Sequence, residues 1–554
     1  MTMRLRTSAL RLTIALSTML AGCALLIDTS DRVQCATNSD CDANPLFRGR
    51  VCELGFCAFR TPDPGPVSAG EPCVNTDICT QANSGRASVC ARAGEPCVPW
   101  EIEGCQMITG PWRNPDAIMI GALMPFNMRQ ATGALTSVPY TTRLQRAVDL
   151  AVYELEEKNP AGVHVGAKQR PVAVLFCDSQ GDPGLARKYF DHFTEVVGTK
   201  AVIVAWDDDL SAIAATAKER NTTIVCSDCL APFPPGPAAW RIIPPITLDA
   251  RLAAWRVADL EAKLGVADPP GIRVTLLTEG VTVSKAFAQE LLSRLHFNGK
   301  GASENLASNT LQIIETEDPR KAIVDHDGYA SQIASFAPHV IVAGMGPALP
   351  GFFVPLIEKK WPSGEPRPQY IGTQLNYEAT PFEGLLFAND DLRRRFSGTF
   401  PRLTDERRAN ITSFELRYRA EYPNLGGPDG TFSGYEAFYA TAFAIAAAAR
   451  NDPLATLDGP RISSGFASLV AGPVVNVNPA EINAGLSLLS GTGSIDLRGL
   501  TSELDWNLAT RDLEADMGMY CFARDGDALV VEPDPGGVVY SPKTDQVVGT
   551  YACE

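Results

Sequence analysis

Histidine is scarce in this chain. The five, His164, His192, His296, His326 and His339, are scattered, and none falls in an H-E-x-x-H or H-x-x-x-H pattern. That spacing is what places two imidazoles on one helix face around zinc, so this class of hydrolase is excluded. The G-x-S-x-G elbow, the P-loop and the kinase signatures are missing too. Gly491-Thr-Gly-Ser494 is glycine-rich but follows no strand–helix unit that could cradle a phosphate. No catalytic residue, metal or cofactor is therefore expected. Basic residues are also short: 48 Lys and Arg stand against 64 Asp and Glu, a net charge of −16. Residues 1–22 carry three arginines and no acid, so their removal leaves −19. An acidic surface argues against nucleic acid or anionic lipid as the main partner.

Cysteine, by contrast, is plentiful. Ten of the fifteen cysteines lie between Cys23 and Cys105, the density of an exported, disulfide-held region. Cys35, Cys41, Cys52 and Cys57 are spaced x5, x10, x4, and Cys73, Cys79, Cys90 and Cys97 are spaced x5, x10, x6. This is an internal repeat, 35–57 and 73–97, joined by the stiff Thr61-Pro-Asp-Pro-Gly-Pro66. Large apolar residues are few there, so crosslinks must replace a core. A zinc site is disfavoured, because no histidine precedes His164 and no paired CxxC occurs in the region. In front of the repeats, Arg4, Arg6 and Arg11 precede the apolar run Leu12–Leu20, which is too short to span a bilayer. This is the layout of a signal peptide. It ends in Leu20-Ala-Gly-Cys23, which resembles the bacterial lipobox, after which the cysteine is acylated and begins the mature protein. Ala24 follows, with no aspartate to suggest inner-membrane retention, so an outer-membrane lipid anchor is expected, facing the periplasm or the cell surface.

The rest of the chain alternates strand and helix. Ala117-Ile-Met-Ile-Gly-Ala-Leu-Met124, Pro171–Cys177, Ala201–Trp206 and Thr222–Cys226 are short apolar runs, as strands covered on both faces should be. Between them Leu144, Ala147, Val148, Ala151, Val152 and Leu155 form one helical face. Thr142 and Gln145 suggest a capping box, and Asp182-Pro183 an N-cap followed by N1. The alternation resumes with strands at Ile272–Thr278, Leu311–Glu315, His339–Ala343 and Gln369–Gly372, and ends with helices at Ser413–Tyr422 and Gly434–Ala449. The fold class is α/β: two doubly wound lobes with a hinge and a cleft, behind small disulfide-rich units. Ligands in such sheets sit beyond the carboxyl ends of the strands. The expected organisation is 1–22 leader, 23–110 Cys-rich stalk, 115–244 with 376–450 as the first lobe, 245–375 with 451–520 as the second, and 521–554 as a disulfide-bonded tail. Hinge strands are expected at Pro244–Ile246, Gly372–Gln374 and Ser494–Leu497.

Several stretches resemble the type I periplasmic binding proteins, in particular the leucine/isoleucine/valine-binding branch that serves ABC importers. Ile120-Gly-Ala-Leu-Met-Pro125 is similar to that family's opening strand and loop, and Ala147–Leu155 to its first helix. Phe176-Cys-Asp-Ser-Gln-Gly-Asp-Pro183 resembles its Asp…Asp-Pro loop, Trp240-Arg-Ile-Ile-Pro244 its first crossing, and Tyr435–Ala440 its late helix. The resemblance spans roughly 115–520. It implies a non-enzymatic protein that closes two lobes on an amino-acid-like, cationic or neutral small molecule, for ABC-type uptake or sensing. A permease or another envelope protein is the implied partner. The same fold also occurs in outer-membrane lipoproteins that act by protein contact and bind no small molecule.

The family's ligand set is only partly kept. Where its members offer hydroxyls after the third strand, this chain has Asp207-Asp208-Asp209-Leu-Ser211, and after the fourth Ser227-Asp228-Cys229. The second-lobe acid of the family falls near Gln374, which is uncharged. The residues carried over as ligand-binding candidates are Asp207, Asp208, Ser211, Ser227, Asp228, Glu279, Gln374 and Tyr435. Carboxylates there would repel an anionic ligand group. They could equally serve the helix that follows, with Asp209 as its cap. The family's bridge runs from the second-strand loop to the third, but that loop holds no cysteine here. With Cys23 acylated and the repeats using eight cysteines, six remain. Cys521 and Cys553 pair within the tail. In the strand order 2-1-3-4-5, Cys177 and Cys226 would lie roughly 14 Å apart, beyond the reach of a disulfide. Cys226 then pairs locally with Cys229, and by elimination Cys105 pairs with Cys177, the alternative being free thiols at these two positions.

Overall fold

The computed structural model describes residues 50–53, 56–59 and 72–553, apart from 84, 91–92, 115, 167, 234–238, 267–270, 378–379, 426, 429, 451–456 and 492. The leader, Cys23, Cys35, Cys41 and the proline linker lie outside the described residues. The chain divides into two compact units, Met1–Ser68 and Ala69–Glu554. In the first, Arg50–Glu53 pairs antiparallel with Phe56–Phe59, and Cys52 stands opposite Cys57.

The second unit begins with the second cysteine repeat. Asn75 caps the helix Thr76–Ala82 by accepting from the Ile78 N–H at 3.0 Å. Disulfides join Cys73 to Cys90 and Cys79 to Cys97. The module then runs directly into the first large sheet. Strand β1 (Met107–Thr109) pairs antiparallel with β3 (Val172–Asp178), placing Met107 opposite Phe176. Two residues earlier in the chain, Cys105 is bonded to Cys177. Gly104 turns at φ +85°, and a side chain there would collide with the Tyr189 ring.

The first lobe is built on β2 (Ile118–Met124), β3, β4 (Ala201–Val204), β5 (Thr223–Cys226) and β6 (Ala239–Arg241), with β1 added at one edge. Its order is β6-β5-β4-β2-β3-β1, with β2 to β6 parallel. This is 2-1-3-4-5 among the parallel strands. Every residue of β2 is buried, because helices cover both faces. Helix α1 (Pro139–Lys158) buries the expected stripe Leu144 to Leu155. It starts earlier than expected, at Pro139, and its N-cap Val138 offers no side chain, so Thr142 and Gln145 lie inside the helix and form no capping box. Asp182 does cap α2 (Pro183–Asp191), accepting from Gly184 and Leu185. Helix α3 (Asp207–Glu219) follows β4.

The second lobe opens with α4 (Ile246–Leu264), a helix not anticipated from sequence. Its first half is buried nearly all round, so no single apolar stripe marks it. The sheet contains β7 (Val274–Glu279), β8 (Leu311–Thr316), β9 (Val340–Gly344), β10 (Gln369–Gly372), β11 (Phe396–Pro401) and β12 (Met517–Asp525), with α5 (Thr282–Arg294) after β7 and α6 (His326–Phe336) after β8. Its order is β8-β7-β9-β10-β11-β12, parallel as far as β11 and antiparallel at β12. Cys521 on β12 is bonded to Cys553.

The division of the later chain differs from the expected 376–450 and 451–520. Residues 376–401 stay with the second lobe, because Phe396-Ser-Gly-Thr-Phe-Pro401 supplies the strand β11 between β10 and β12. Small residues hide it in the sequence, and Gly398 is required because a side chain would meet the Tyr520 ring. Helices α7 (Asp405–Glu421) and α8 (Phe432–Ala449) cover the first lobe. Gly434 lets α8 approach the Leu144 carbonyl of α1. Residues 459–515 also remain on the first lobe: Ile462, Phe466, Leu486, Leu497, Trp506 and Leu513 share its core, and Phe466 stacks on Trp240 at 4.5 Å. The chain therefore passes between lobes at 242–246, 402–404 and 515–517. The first matches the expected Pro244–Ile246. Gly372–Gln374 and Ser494–Leu497 are not crossings, since β10 lies within the second sheet and Leu497 within the first core.

Cys105–Cys177 spans 72 residues, and closing a loop of that size stabilises by about 4 kcal/mol in the chain-entropy treatment. Replacing both cysteines by serine should lower the unfolding midpoint in guanidinium correspondingly. An unchanged midpoint would show that the bridge contributes nothing.

Candidate functional site

The carboxyl ends of both sets of parallel strands meet at one cleft. On the first lobe four loops form the wall. After β3, Asp178 accepts from the Phe126, Asn127 and Gln180 N–H groups and so binds the β2 and β3 loops to each other. Gln180 holds a left-handed turn at φ 53°. After β4 come the three acids that open α3, and the structure gives each a different environment.

Asp207 accepts from the N–H groups of Leu230 at 3.2 Å and Ala231 at 3.0 Å. Burial pushes its carboxyl up to about 6, against the pull of Arg241 and these N–H groups. Asp209 is fully buried and accepts from the Ser179 hydroxyl at 2.6 Å. Burial raises it to about 7. Helix α3 begins at Asp207 with Trp206 in the cap position, so Asp209 lies in the first turn and is not the cap. Asp208 points the other way, toward the second lobe. It accepts from the Thr282 hydroxyl at 2.9 Å and pairs with Arg320.

Thr282 is the first residue of α5 and Arg320 lies in the loop after β8. Arg320 is held in its own lobe by Asp318, at 2.8 and 2.7 Å. Burial alone would raise the Asp318 carboxyl, but the Arg320 hydrogen bonds outweigh it and hold it at about 2. The hairpin Asn127–Arg129 with Leu135–Ser137 also crosses, since the Ala131 N–H donates to the Pro319 carbonyl at 3.4 Å. The lobes thus meet through an acid on one and a pre-positioned guanidinium on the other.

After β5, a Cys226–Cys229 disulfide encloses Ser227 and Asp228. The Ser227 hydroxyl donates to the Val204 carbonyl at 3.3 Å. Asp228 accepts from Tyr140, at the start of α1, at 3.0 Å and from Ser433, at the start of α8, at 3.0 and 3.1 Å. Desolvation raises it to about 7. On the second lobe Glu279 ends β7, accepts from the Gly346 N–H and is also raised by burial.

The structure therefore brings Asp207, Asp208, Ser227, Asp228 and Glu279 to the cleft-side ends of their strands. Three expected residues stand elsewhere or face away. Ser211 is exposed on the first turns of α3. Tyr435 is buried between α1 and α8, where it donates to Glu154, with Arg417 donating to its hydroxyl; Glu154 is near the far end of α1. Gln374 donates to Asp249 at 2.6 Å and to the Pro244 carbonyl at 3.0 Å, which makes it a brace of the first crossing. The residues missed from sequence are Tyr140, Thr282, Arg320 and Ser433. Each is an ordinary residue in its own stretch and gains meaning from what it faces. Two cavities lie outside the cleft. One of about 480 Å³ is lined by Tyr377, Phe400, Arg408 and Tyr520, and one of about 150 Å³ by Arg407, Glu503, Asp516 and Lys543.

Two doubly wound lobes, three crossings and a cleft at the strand ends define the type I periplasmic binding protein fold. Among solved structures the chain is similar to an ABC-transporter solute-binding protein of Rhodopseudomonas palustris in complex with 3,4-dihydroxybenzoic acid. The identity is 12%, over 79% of this chain and 99% of that one, with a TM-score of 0.52. A leucine-binding protein of Thermotoga maritima aligns at 12% identity over 77% of this chain and 99% of its own, TM-score 0.53. A branched-chain amino acid substrate-binding protein of Streptococcus pneumoniae, in complex with isoleucine, aligns at 14% over 75% and 99%, TM-score 0.51. At these identities the likeness establishes the fold. The sequence matches no protein-family model and no curated protein.

Burial raises Asp209, Asp228, Asp249 and Glu436 to about 7, well above their values in an unfolded chain. The folded state then holds protons that the unfolded state releases. Their contribution is present in full below about pH 4 and is lost as pH rises toward 7. The melting temperature should be several degrees higher at pH 5.5 than at pH 8. Calorimetry across this range checks it, and a melting point that climbs toward pH 8 would contradict the assignment.

Proposed function

We propose that this chain is a lipid-anchored solute-binding protein of the bacterial cell envelope, which captures a small molecule between its lobes for ABC-type uptake or for sensing. The observation that carries this reading is the convergence of polar groups from both lobes on one cleft: Asp208 and Asp228 from the first, Thr282, Arg320 and Glu279 from the second. A solute that touches both walls binds the closed form more tightly and shifts the hinge equilibrium toward it. The solved structures with this fold include proteins named for leucine binding and for complexes with isoleucine and 3,4-dihydroxybenzoic acid, which supports a small-molecule role. The anchor rests on the Leu20–Cys23 sequence and its leader. Lipid chains add roughly 0.8 kcal/mol per buried methylene, so multiple acylation holds a protein at a membrane.

A second reading is favoured by the same contact. Arg320 and Asp208 join the two lobes through the chain's own side chains, and a protein that works by contact with an envelope partner needs no more than that.

A thermal-shift screen separates the two. A solute at a hundredfold excess over its Kd stabilises by roughly 2.7 kcal/mol and should raise the melting point by a few degrees. A broad solute library with no hit would favour the contact protein. The anchor has its own test: Cys23→Ser should move the protein from the membrane to the soluble fraction, and a variant that resists carbonate washing would refute lipidation at that residue.

A further inference from the structure

The larger of the two cavities outside the cleft, about 480 Å³, opens where the second crossing leaves the second lobe. Its lining comes from three places. Tyr377, Phe400 and Tyr520 belong to the second lobe, Arg402 and Leu403 to the crossing, and Arg408 to α7 on the first lobe. The second crossing is joined to the third, because the Arg402 N–H donates to the Asp516 carbonyl at 2.8 Å. A molecule in this cavity therefore touches both lobes. The volume lies in the range of pockets that hold small organic ligands.

The register of the sheet explains why the space exists. On β12, Gly518 stands between Phe400 of β11 and Val539 of the strand Val539–Ser541. Residues directly opposite one another share a face of the sheet, so two large side chains flank a position that has none. The backbone does not require the glycine. A Cβ there would lie 3.5 Å from Arg402 Cα and 3.6 Å from the Val538 carbonyl oxygen, which are ordinary contacts. Packed sheets seldom leave such space unfilled. The walls are fixed by their own contacts. Tyr377 stacks on Phe400 with ring centroids 3.5 Å apart and meets Tyr520 edge-on at 5.3 Å. The Tyr520 hydroxyl donates to the Thr373 carbonyl at 3.3 Å. On the far side Asp534 accepts from the N–H groups of Ala552 at 2.7 Å and Val538 at 3.3 Å, which pins the loop beyond Pro533.

The polar groups of the lining are unequally committed. Asp534 is taken by the backbone. The Tyr377 hydroxyl has no hydrogen-bond partner among the described residues, and burial and Glu415 hold it above the usual phenol range, so it stays a donor. Arg402 reaches only Asp516, at 3.9 Å, and Arg408 pairs with the exposed Asp405. A guanidinium has five N–H donors, and most of these are left over. Against the two arginines stands one acid of the lining with no ion pair among the described residues, Glu532.

We propose that this cavity is a second binding site, for a small apolar molecule, aromatic or branched, that carries one anionic group. Its apolar body fills the space over Gly518, against Phe400 and Val539. Its anion accepts from Arg402, Arg408 and the Tyr377 hydroxyl. A cation would meet two guanidiniums at the same place, and a small hydrophilic anion would leave the apolar wall in contact with water. The site is separate from the cleft and does not rest on the small-molecule reading above.

The test uses the full chain at low salt. Phenylacetate, 2-naphthoate and 4-methylpentanoate serve as apolar anions. Phenylethanol is the neutral counterpart, phenethylamine the cationic one, and acetate the anion without an apolar body. By titration calorimetry at least one apolar anion should bind at least tenfold more tightly than phenylethanol, phenethylamine or acetate, and less tightly as salt rises. Gly518→Leu, which fills the floor of the cavity, should abolish that binding, and Arg408→Gln should weaken it tenfold or more. Arg408 is exposed, so that variant decides if circular dichroism shows Gly518→Leu to be misfolded. Failure of every apolar anion to bind overturns the site. Binding that is unchanged in both variants puts the probe elsewhere, which overturns this site and leaves the cleft reading standing. Phenethylamine binding as tightly as phenylacetate, and lost in Gly518→Leu, overturns the anionic preference.

Discussion

A single guanidinium, that of Arg241, ties together most of what shapes the first lobe's side of the cleft. It is fully buried. It donates to the carbonyls of Cys229 and Ala231, at 2.7 Å for the latter, and to Asp512 at 2.8 Å. Its own carbonyl accepts from the Trp506 indole at 2.6 Å. The loop after β5, the last strand of the sheet and the returning segment 505–513 are thereby held by one residue, just before the chain crosses to the second lobe. Desolvation pulls its pKa down, and Asp512 and Asp207 oppose that. A buried charge of this kind is tolerated only when its hydrogen bonds are filled.

The loop so held is the one that presents Asp228. Its backbone N–H groups at Leu230 and Ala231 are taken by Asp207, its carbonyls by Arg241, and its ends by the Cys226–Cys229 bridge. The wall is thus pre-organised. The first crossing between the lobes is braced too, by the buried Asp249, which accepts from Gln374 and from Thr399 at 2.6 Å. The acids that look redundant as a run are divided by direction: Asp207 faces its own loop, Asp209 the loop after β3, and Asp208 the opposite lobe.

The second cysteine module is part of the first lobe. Strand β1 extends the sheet, the Cys105–Cys177 bridge fixes the junction, and the Trp100 carbonyl lies 2.8 Å from the His192 ring. Trp100 and Cys105 are buried in the same core as Phe190 and Phe193. A module with too few apolar residues for a core of its own gains one by docking.

Local pattern in the sequence determined a good deal. The apolar runs at Ala117–Met124 and Pro171–Cys177, the helical stripe from Leu144 to Leu155 and the Asp182 cap all follow from periodicity and capping chemistry, which act over a few residues. The α/β class and the two lobes follow from their alternation. The tertiary structure alone decided the rest. Phe396–Pro401 became a central strand because neighbours on both sides accept it, although its small residues carry no strand pattern. Residues 459–515 returned to the first lobe because Phe466 and Trp506 pack around Trp240, a contact across more than 200 positions that no local signal encodes. The roles of Asp207, Asp208 and Asp209 could not be told apart in sequence, since side-chain direction in a helix's first turn matters only once the facing loops are in place. Arg320 and Thr282 gained their importance in the same way, from the lobe opposite.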